Sequence, residues 1–242
     1  MNSKYGIYSI AGSVIILFIL SLAAFMRNLV WHDELSLWKR TVISSPNKSR
    51  PFNSLGVAYA NKKLYDEAIR HFKMAIRNGS GLQEVHHYNL ALAYQDKGVI
   101  EEAVFEFTEA IKLKPDYADA RYRLGILYKD MGMTEKAEAE LKKAVEYVPD
   151  RDTFRNSLGN IYLLQKRYSL ALEEYKMALR TNPSNVESLY NLAITYDAMG
   201  MREDAVKSYI DFIMAAPSEY QSAVENANKR QQELSKKLLN IE

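Results

Sequence analysis

The chain contains no cysteine. That removes disulfides, thiolate nucleophiles and cysteine metal sites, but it leaves the compartment open, because oxidising spaces and the cytosol both tolerate a thiol-free protein. Glycine is scarce, 10 residues in 242, whereas Tyr 17 and Phe 8 supply packing mass, so the composition favours packed helix over disorder. Charge of one sign is missing too: a formal net charge of +2 argues against nucleic acid as the main partner. The sequence has no phosphate-cradling glycine loop, no metalloprotease helix motif and no nucleophile elbow. His86 and His87 are neighbours on a helix and point different ways, and His71 and His32 lie far along the chain, so no metal site is expected. The chain is therefore not expected to be an enzyme or to need a cofactor.

What is present is a 48% hydrophobic, 26% charged chain with a recurring pattern, clearest at Glu84–Tyr117. Helical spacing puts His87, Leu90, Ala91 and Tyr94 on one face, and Gly98 breaks that helix. Ala103, Phe107, Ala110 and Ile111 form the inner face of a second helix, which Pro115 stops. The alanines allow close approach of antiparallel helices, and Tyr94 and Phe107 fill the wedge between them. Such a hairpin cannot bury its apolar face alone and must stack on neighbours. Four further copies are found. Ser49–Leu82 carries Leu55, Gly56, Tyr59, Ala68, Phe72 and Ala75, and ends in Asn78-Gly79-Ser80-Gly81 with an extra residue and no stop proline. Ala118–Arg151 carries Leu124, Gly125, Tyr128, Ala137, Leu141, Ala144 and Pro149. Asp152–Asn185 carries Leu158, Gly159, Tyr162, Ala171, Tyr175, Ala178 and Pro183. Val186–Glu219 carries Leu192, Ala193, Tyr196, Ala205, Tyr209 and Pro217, with Phe212 where a small residue is usual. The pattern resembles the tetratricopeptide repeat, whose copies are 34 residues long. The resemblance implies an all-α solenoid of five helical hairpins over residues 49–219.

The ends are different. Tyr5–Met26 has no charged residue and lies between Lys4 and Arg27, a length suited to one membrane-spanning helix. A signal peptide cleaved near Ser21-Leu22-Ala23 is the alternative. Residues 27–48 read as a junction and degenerate half-repeat, with Trp31, Leu35, Trp38, Val42 and Pro46 at helical spacing. Residues 220–242 read as a capping helix with Tyr220, Val224, Ala227, Leu234 and Leu238 in a stripe. Arg27-Asn28, Trp31, Glu34-Leu35, Leu37-Trp38, Thr41, Ser45-Pro46, Arg50-Pro51 and Leu55-Gly56 resemble one region of the transmembrane and tetratricopeptide O-mannosyltransferase-like proteins. That resemblance implies a non-catalytic recognition fragment or subunit of a membrane glycosyltransferase, since the acidic loop of the transferases is missing. Asp150-Arg151-Asp152 is similar to the acidic pair of many glycosyltransferases, but after Pro149 it reads better as a turn in which Asp152 caps the next helix. The positive-inside rule, read from Arg27, Lys39 and Arg40, places the repeats in the cytoplasm. The family likeness places them outside, and the balance leans outward.

In the tetratricopeptide family, first helices line a concave groove for an extended peptide or partner helix. The matching slots here carry Asn53, Asn89, Arg123, Asn156, Asn160 and Asn191, with Tyr88, Tyr122 and Tyr190 beside them. An amide both donates and accepts, so it can pair with a peptide backbone. This array resembles the asparagine ladder of some family members and fits the carboxylate-clamp subtype poorly, because Asn53 and Val57 occupy the first-repeat slots where that subtype has lysine and asparagine. The expected function is a membrane-anchored scaffold or adaptor that binds a protein or peptide through that groove.

Overall fold

The structure, a computed structural model, describes residues 18, 20–22, 34–79 and 81–239. Among the described residues every regular element is helical. In chain order they are α1 (Glu34–Ser44), α2 (Ser49–Asn61), α3 (Tyr65–Arg77), α4 (Gln83–Lys97), α5 (Ile100–Leu113) and α6 (Ala118–Asp130). There follow α7 (Thr134–Tyr147), α8 (Asp152–Leu164), α9 (Tyr168–Thr181), α10 (Val186–Ala198), α11 (Arg202–Ala215) and, after a 3-10 turn at Ser218–Tyr220, α12 (Gln221–Leu238). The half-repeat of the junction is α1, and Trp31 lies outside the described residues. Of the expected anchor only Phe18, Leu20, Ser21 and Leu22 are described, all helical and exposed. Among the described residues no helix is long and apolar enough to cross a membrane.

The turn inside each hairpin has one construction. The residue at the same slot takes a left-handed backbone in all five: Lys63 (φ 58°), Gly98 (φ 83°), Gly132 (φ 73°), Lys166 (φ 59°) and Gly200 (φ 73°). The next N–H then reaches back to a tyrosine carbonyl, from Leu64 to Tyr59, Val99 to Tyr94, Met133 to Tyr128, Arg167 to Tyr162 and Met201 to Tyr196, at 2.8–3.0 Å. This is the helix-ending bond that satisfies an otherwise orphaned carbonyl. Glycine adopts the required φ without strain, and the two lysines do not.

Close helix contact needs the small residues. A Cβ added to Gly125 would stand 2.7 Å from Leu141 Cγ, and one on Gly56 2.6 Å from Phe72 Cε1. Ala68, Ala103, Ala137, Ala171 and Ala205 are all fully buried.

The chain divides into two compact units, 1–106 and 107–242, with the boundary inside α5. In the first unit Ala68, Ile69, Phe72, Leu90 and Ala93 form a core under Tyr59 and Tyr94. In the second, one core joins Leu141, Phe154, Leu158, Ile161 and Tyr175, and another gathers Tyr196, Tyr209, Phe212, Ala227 and Leu234. Phe212 thus fills the space against α12 that a small residue would leave. Arg230 of α12 grips Asp197 of α10 with Nε at 2.6 Å and Nη2 at 2.9 Å. Leu238, expected in the apolar stripe, is exposed at the end of the helix.

The extra residue after α3 is absorbed by backbone: Gly79, Gly81 and even Leu82 (φ 49°) are left-handed. Ser80 lies outside the described residues.

Candidate functional site

First helices of neighbouring hairpins touch within each unit, α2 with α4, α6 with α8 and α8 with α10. These contacts carry the expected ladder. In the first unit Asn89 Nδ2 donates to Asn53 Oδ1 at 3.0 Å, joining α4 to α2. In the second, Asn191 Nδ2 donates to Asn160 Oδ1 at 2.8 Å and to Asn156 Oδ1 at 3.2 Å. Ser188 Oγ also donates to Asn156 Oδ1 at 3.1 Å, and Tyr175 Oη to Asn160 Oδ1 at 2.7 Å. The carbonyl oxygens of Asn53, Asn156 and Asn160 are therefore engaged within the protein, while their Nδ2 groups donate to no described residue. All three side chains are half-buried. In each unit the first helices present donors.

The other expected residues differ in role. Tyr122 stacks on Phe154 with ring centroids 4.6 Å apart, and Tyr190 packs on Phe212 at 4.8 Å, so both rings hold helices together. Tyr88 is half-buried beside Asn89, and Arg123 is exposed.

Two cavities flank the Asn53–Asn89 pair. One, about 620 Å³, lies at the amino ends of α2 and α4 and is lined by Lys48, Arg50, Asn53, Ser54, Leu82 and His86 among others. The second, about 210 Å³, lies toward their carboxyl ends between Val57, Ala60, Phe72, Leu92 and Asp96.

The adjacent histidines do separate, with their expected placement reversed. His86, not His87, is the buried one (3% exposed), and neither ring nitrogen has a partner. His87 Nδ1 instead lies 2.6 Å from Glu106 Oε2. Burial holds the His86 pKa below its ordinary value. His71 is lowered chiefly by burial and then by Arg70, and it stacks on Tyr59 at 5.3 Å. Among the described residues no cluster of three or more histidines or carboxylates could hold a metal ion.

Asp152 is the first residue of α8, not its cap. Its carboxylate accepts from Asn182 Nδ2 at 2.7 Å and Asn185 Nδ2 at 2.8 Å, tying successive turns between hairpins.

Sequence reading missed a second ladder. His87–Glu106, Arg121–Glu140 and Arg155–Glu174 pair across three successive hairpins, each 19 residues apart. Arg121 Nε and Arg155 Nε also donate to the carbonyls of Pro115 and Pro149, each six residues back. The even spacing of Glu106, Glu140 and Glu174 was the available signal. Glu138 was missed as well. Burial would raise its pKa, but hydrogen bonds from Lys142, Gln165 and Arg167 prevail and hold the carboxyl at about 2.

The profile described as TPR repeat matches residues 93–132 and 159–200. Two tetratricopeptide repeat profiles match 118–151 and 188–222. Among solved structures the chain is similar to YrrB, a TPR protein with an unusual peptide-binding site (TM-score 0.67, 19% identity, 79% of this chain and 97% of that one). It is similar also to MamA (TM-score 0.63, 21% identity, 70% and 96%). A third is the C-terminal part of a TPR repeat-containing protein from Cytophaga hutchinsonii (TM-score 0.70, 16% identity, 86% and 84%). No curated protein matches the chain.

Proposed function

Because the chain is built of tetratricopeptide repeats, a scaffold suited to protein–protein binding, we propose that it is a membrane-anchored adaptor whose first-helix wall holds an extended peptide. One observation carries the reading: in the second unit the Nδ2 groups of Asn156 and Asn160 are free donors on half-buried side chains, while their oxygens are fixed by neighbours. Oriented N–H groups on adjacent turns of one helix suit backbone carbonyls. The peptide-binding site of YrrB supports a peptide ligand on this fold. The anchor rests on the uncharged run between Lys4 and Arg27. The extracytoplasmic placement of the repeats that belongs to this reading rests on the likeness of the junction, Arg27-Asn28 to Leu55-Gly56, to the transmembrane and tetratricopeptide O-mannosyltransferase-like proteins.

Asn156→Asp and Asn160→Asp, made singly, test the wall. Each keeps the oxygen that accepts from Asn191 and replaces only the free donor. Crosslinking from membranes should recover the parent's partners less well with either variant, each lost bond being worth about 0.5–1.5 kcal/mol. Equal recovery would remove the asparagine wall from the binding site. Reporters active only inside or only outside the cytoplasm, fused after Glu242, test sidedness, and activity from the inside reporter would reverse it.

A further inference from the structure

The charge of the chain is unevenly divided. Residues 35–65 contain six cations, Lys39, Arg40, Lys48, Arg50, Lys62 and Lys63, and no Asp or Glu. Residues 66–242 hold 24 Lys and Arg against 28 Asp and Glu, a net −4 within a chain of +2. The near-neutral total therefore combines a basic start with an acidic remainder. All six cations are exposed, and they belong to α1, to α2 and to the turns at either end of α2. Lys39 Nζ lies over the Tyr59 ring, 5.6 Å from its centre. Arg40, Lys48, Arg50 and Lys63 meet no carboxylate among the described residues, whereas Arg121, Arg155, Arg167 and Arg230 are all paired.

An independent observation concerns apolar surface. α1 carries Leu35, Leu37, Trp38, Val42 and Ile43 within 11 residues and buries none of them. It packs on α2 along one side. Ile43 is 81% exposed and shares a helix face with Arg40 and Lys39, three and four residues before it. Unburied apolar side chains among unpaired cations call for a cover that is both apolar and anionic. The interfacial zone of an anionic bilayer has both properties. Chain length brings such a surface within reach. Residues 27–33 are all that separates α1 from the uncharged run ending at Met26. Even fully extended, they hold the start of α1 within roughly 30 Å of the end of that run.

We propose that α1 and the ends of α2 form a docking face for anionic lipid headgroups, which seats the first unit on the bilayer. The proposal rests on the reading of Tyr5–Met26 as a membrane anchor, and it needs only that the adjoining leaflet be anionic. Arg40, Lys48 and Arg50 meet lipid phosphate oxygens, and Ile43 enters the headgroup layer.

The chain has no cysteine, so Ser44→Cys, at an exposed position ending α1, gives a single labelling point for a bimane fluorophore. The full chain is reconstituted in phosphatidylcholine bilayers with or without phosphatidylglycerol, each doped with a lipid bearing a nitroxide on its headgroup. Quenching at position 44 is expected to be at least about threefold stronger in the anionic bilayers. Added salt should erase the difference by screening. A label at Ser184→Cys, exposed in the turn before α10, should be quenched equally weakly in both. Arg40→Glu, Lys48→Glu and Arg50→Glu together should abolish the difference at position 44 and leave the helical circular dichroism unchanged, since these side chains are exposed. Equal quenching at position 44 in both bilayers, or a difference that survives salt or the triple reversal, would overturn the docking face and leave the anchor standing. Protein that floats with neither bilayer would overturn both.

Discussion

Gly159→Ala tests the packing beneath the second-unit ladder. A Cβ at this position would stand 2.6 Å from Tyr175 Cε1 and 2.9 Å from Cδ1. Ordinary carbon contacts are about 3.5–4.0 Å, so the ring or the helix must retreat by about 1 Å. The ring is fully buried, and its hydroxyl is tethered to Asn160 Oδ1 at 2.7 Å. The fifth hairpin shows the alternative arrangement: Ala193 occupies the glycine slot, and the Tyr209 hydroxyl lies a long 3.4 Å from Asp197. Overpacking costs about 1–3 kcal/mol, against a gain of about 1 kcal/mol for alanine over glycine inside a helix. The net expectation is a loss of up to about 2 kcal/mol. In a Tyr175→Ala background the ring is gone, so the same substitution should stabilise by up to about 1 kcal/mol. Urea unfolding followed by far-ultraviolet circular dichroism gives the four midpoints, and hydrogen exchange in α8 and α9 localises the effect. A Gly159→Ala protein as stable as its parent, with the same response in both backgrounds, would refute the close contact.

Three further outcomes follow from the same structure. Lys166→Gly should stabilise by about 0.5–1 kcal/mol, the relief of a left-handed backbone offset by glycine's unfolded-state entropy, as read from the urea midpoint. His71 and His86 have folded pKa values below 6.5, so the unfolded chain takes up protons first. Stability should be full above about pH 6.5 and fall as pH drops below it, with the slope reduced in His86→Leu. Glu138→Gln should cost about 1–2 kcal/mol at pH 7 by weakening the tie from α7 to Gln165 and Arg167. The Glu138 carboxylate is depressed, so its contribution is present above pH 4.5 and lost as pH falls toward 2; the variant should lack that acid limb.

The helical hairpins were legible because their signal is repeated and local. Leu90, Leu124 and Leu158, and the turn glycines Gly98 and Gly132, recur 34 residues apart for steric reasons that act within one copy. The ladder was legible in position but not in chemistry. Asn156, Asn160 and Asn191 do converge, yet which atom faces a neighbour and which is free depends on Ser188 and Tyr175, residues with no pattern of their own. Tyr122 and Tyr190 stood in groove slots, but their rings pack on Phe154 and Phe212, which spacing along one helix cannot reveal. The cavity at Lys48 and Arg50 is lined also by Gly81 and Leu82, where the repeat pattern breaks.

The arginines of the second ladder carry an arithmetic of excision. Arg121 and Arg155 each reach a carboxylate 19 residues ahead and a proline carbonyl six residues behind. If residues 118–151 were deleted, Arg155 would stand six residues after Pro115 and keep Glu174 at its old separation. Each side chain would meet the same chemical neighbour it has now. Loss of one whole copy is therefore invisible to this bonding scheme, whereas removal of a few residues within a copy breaks it.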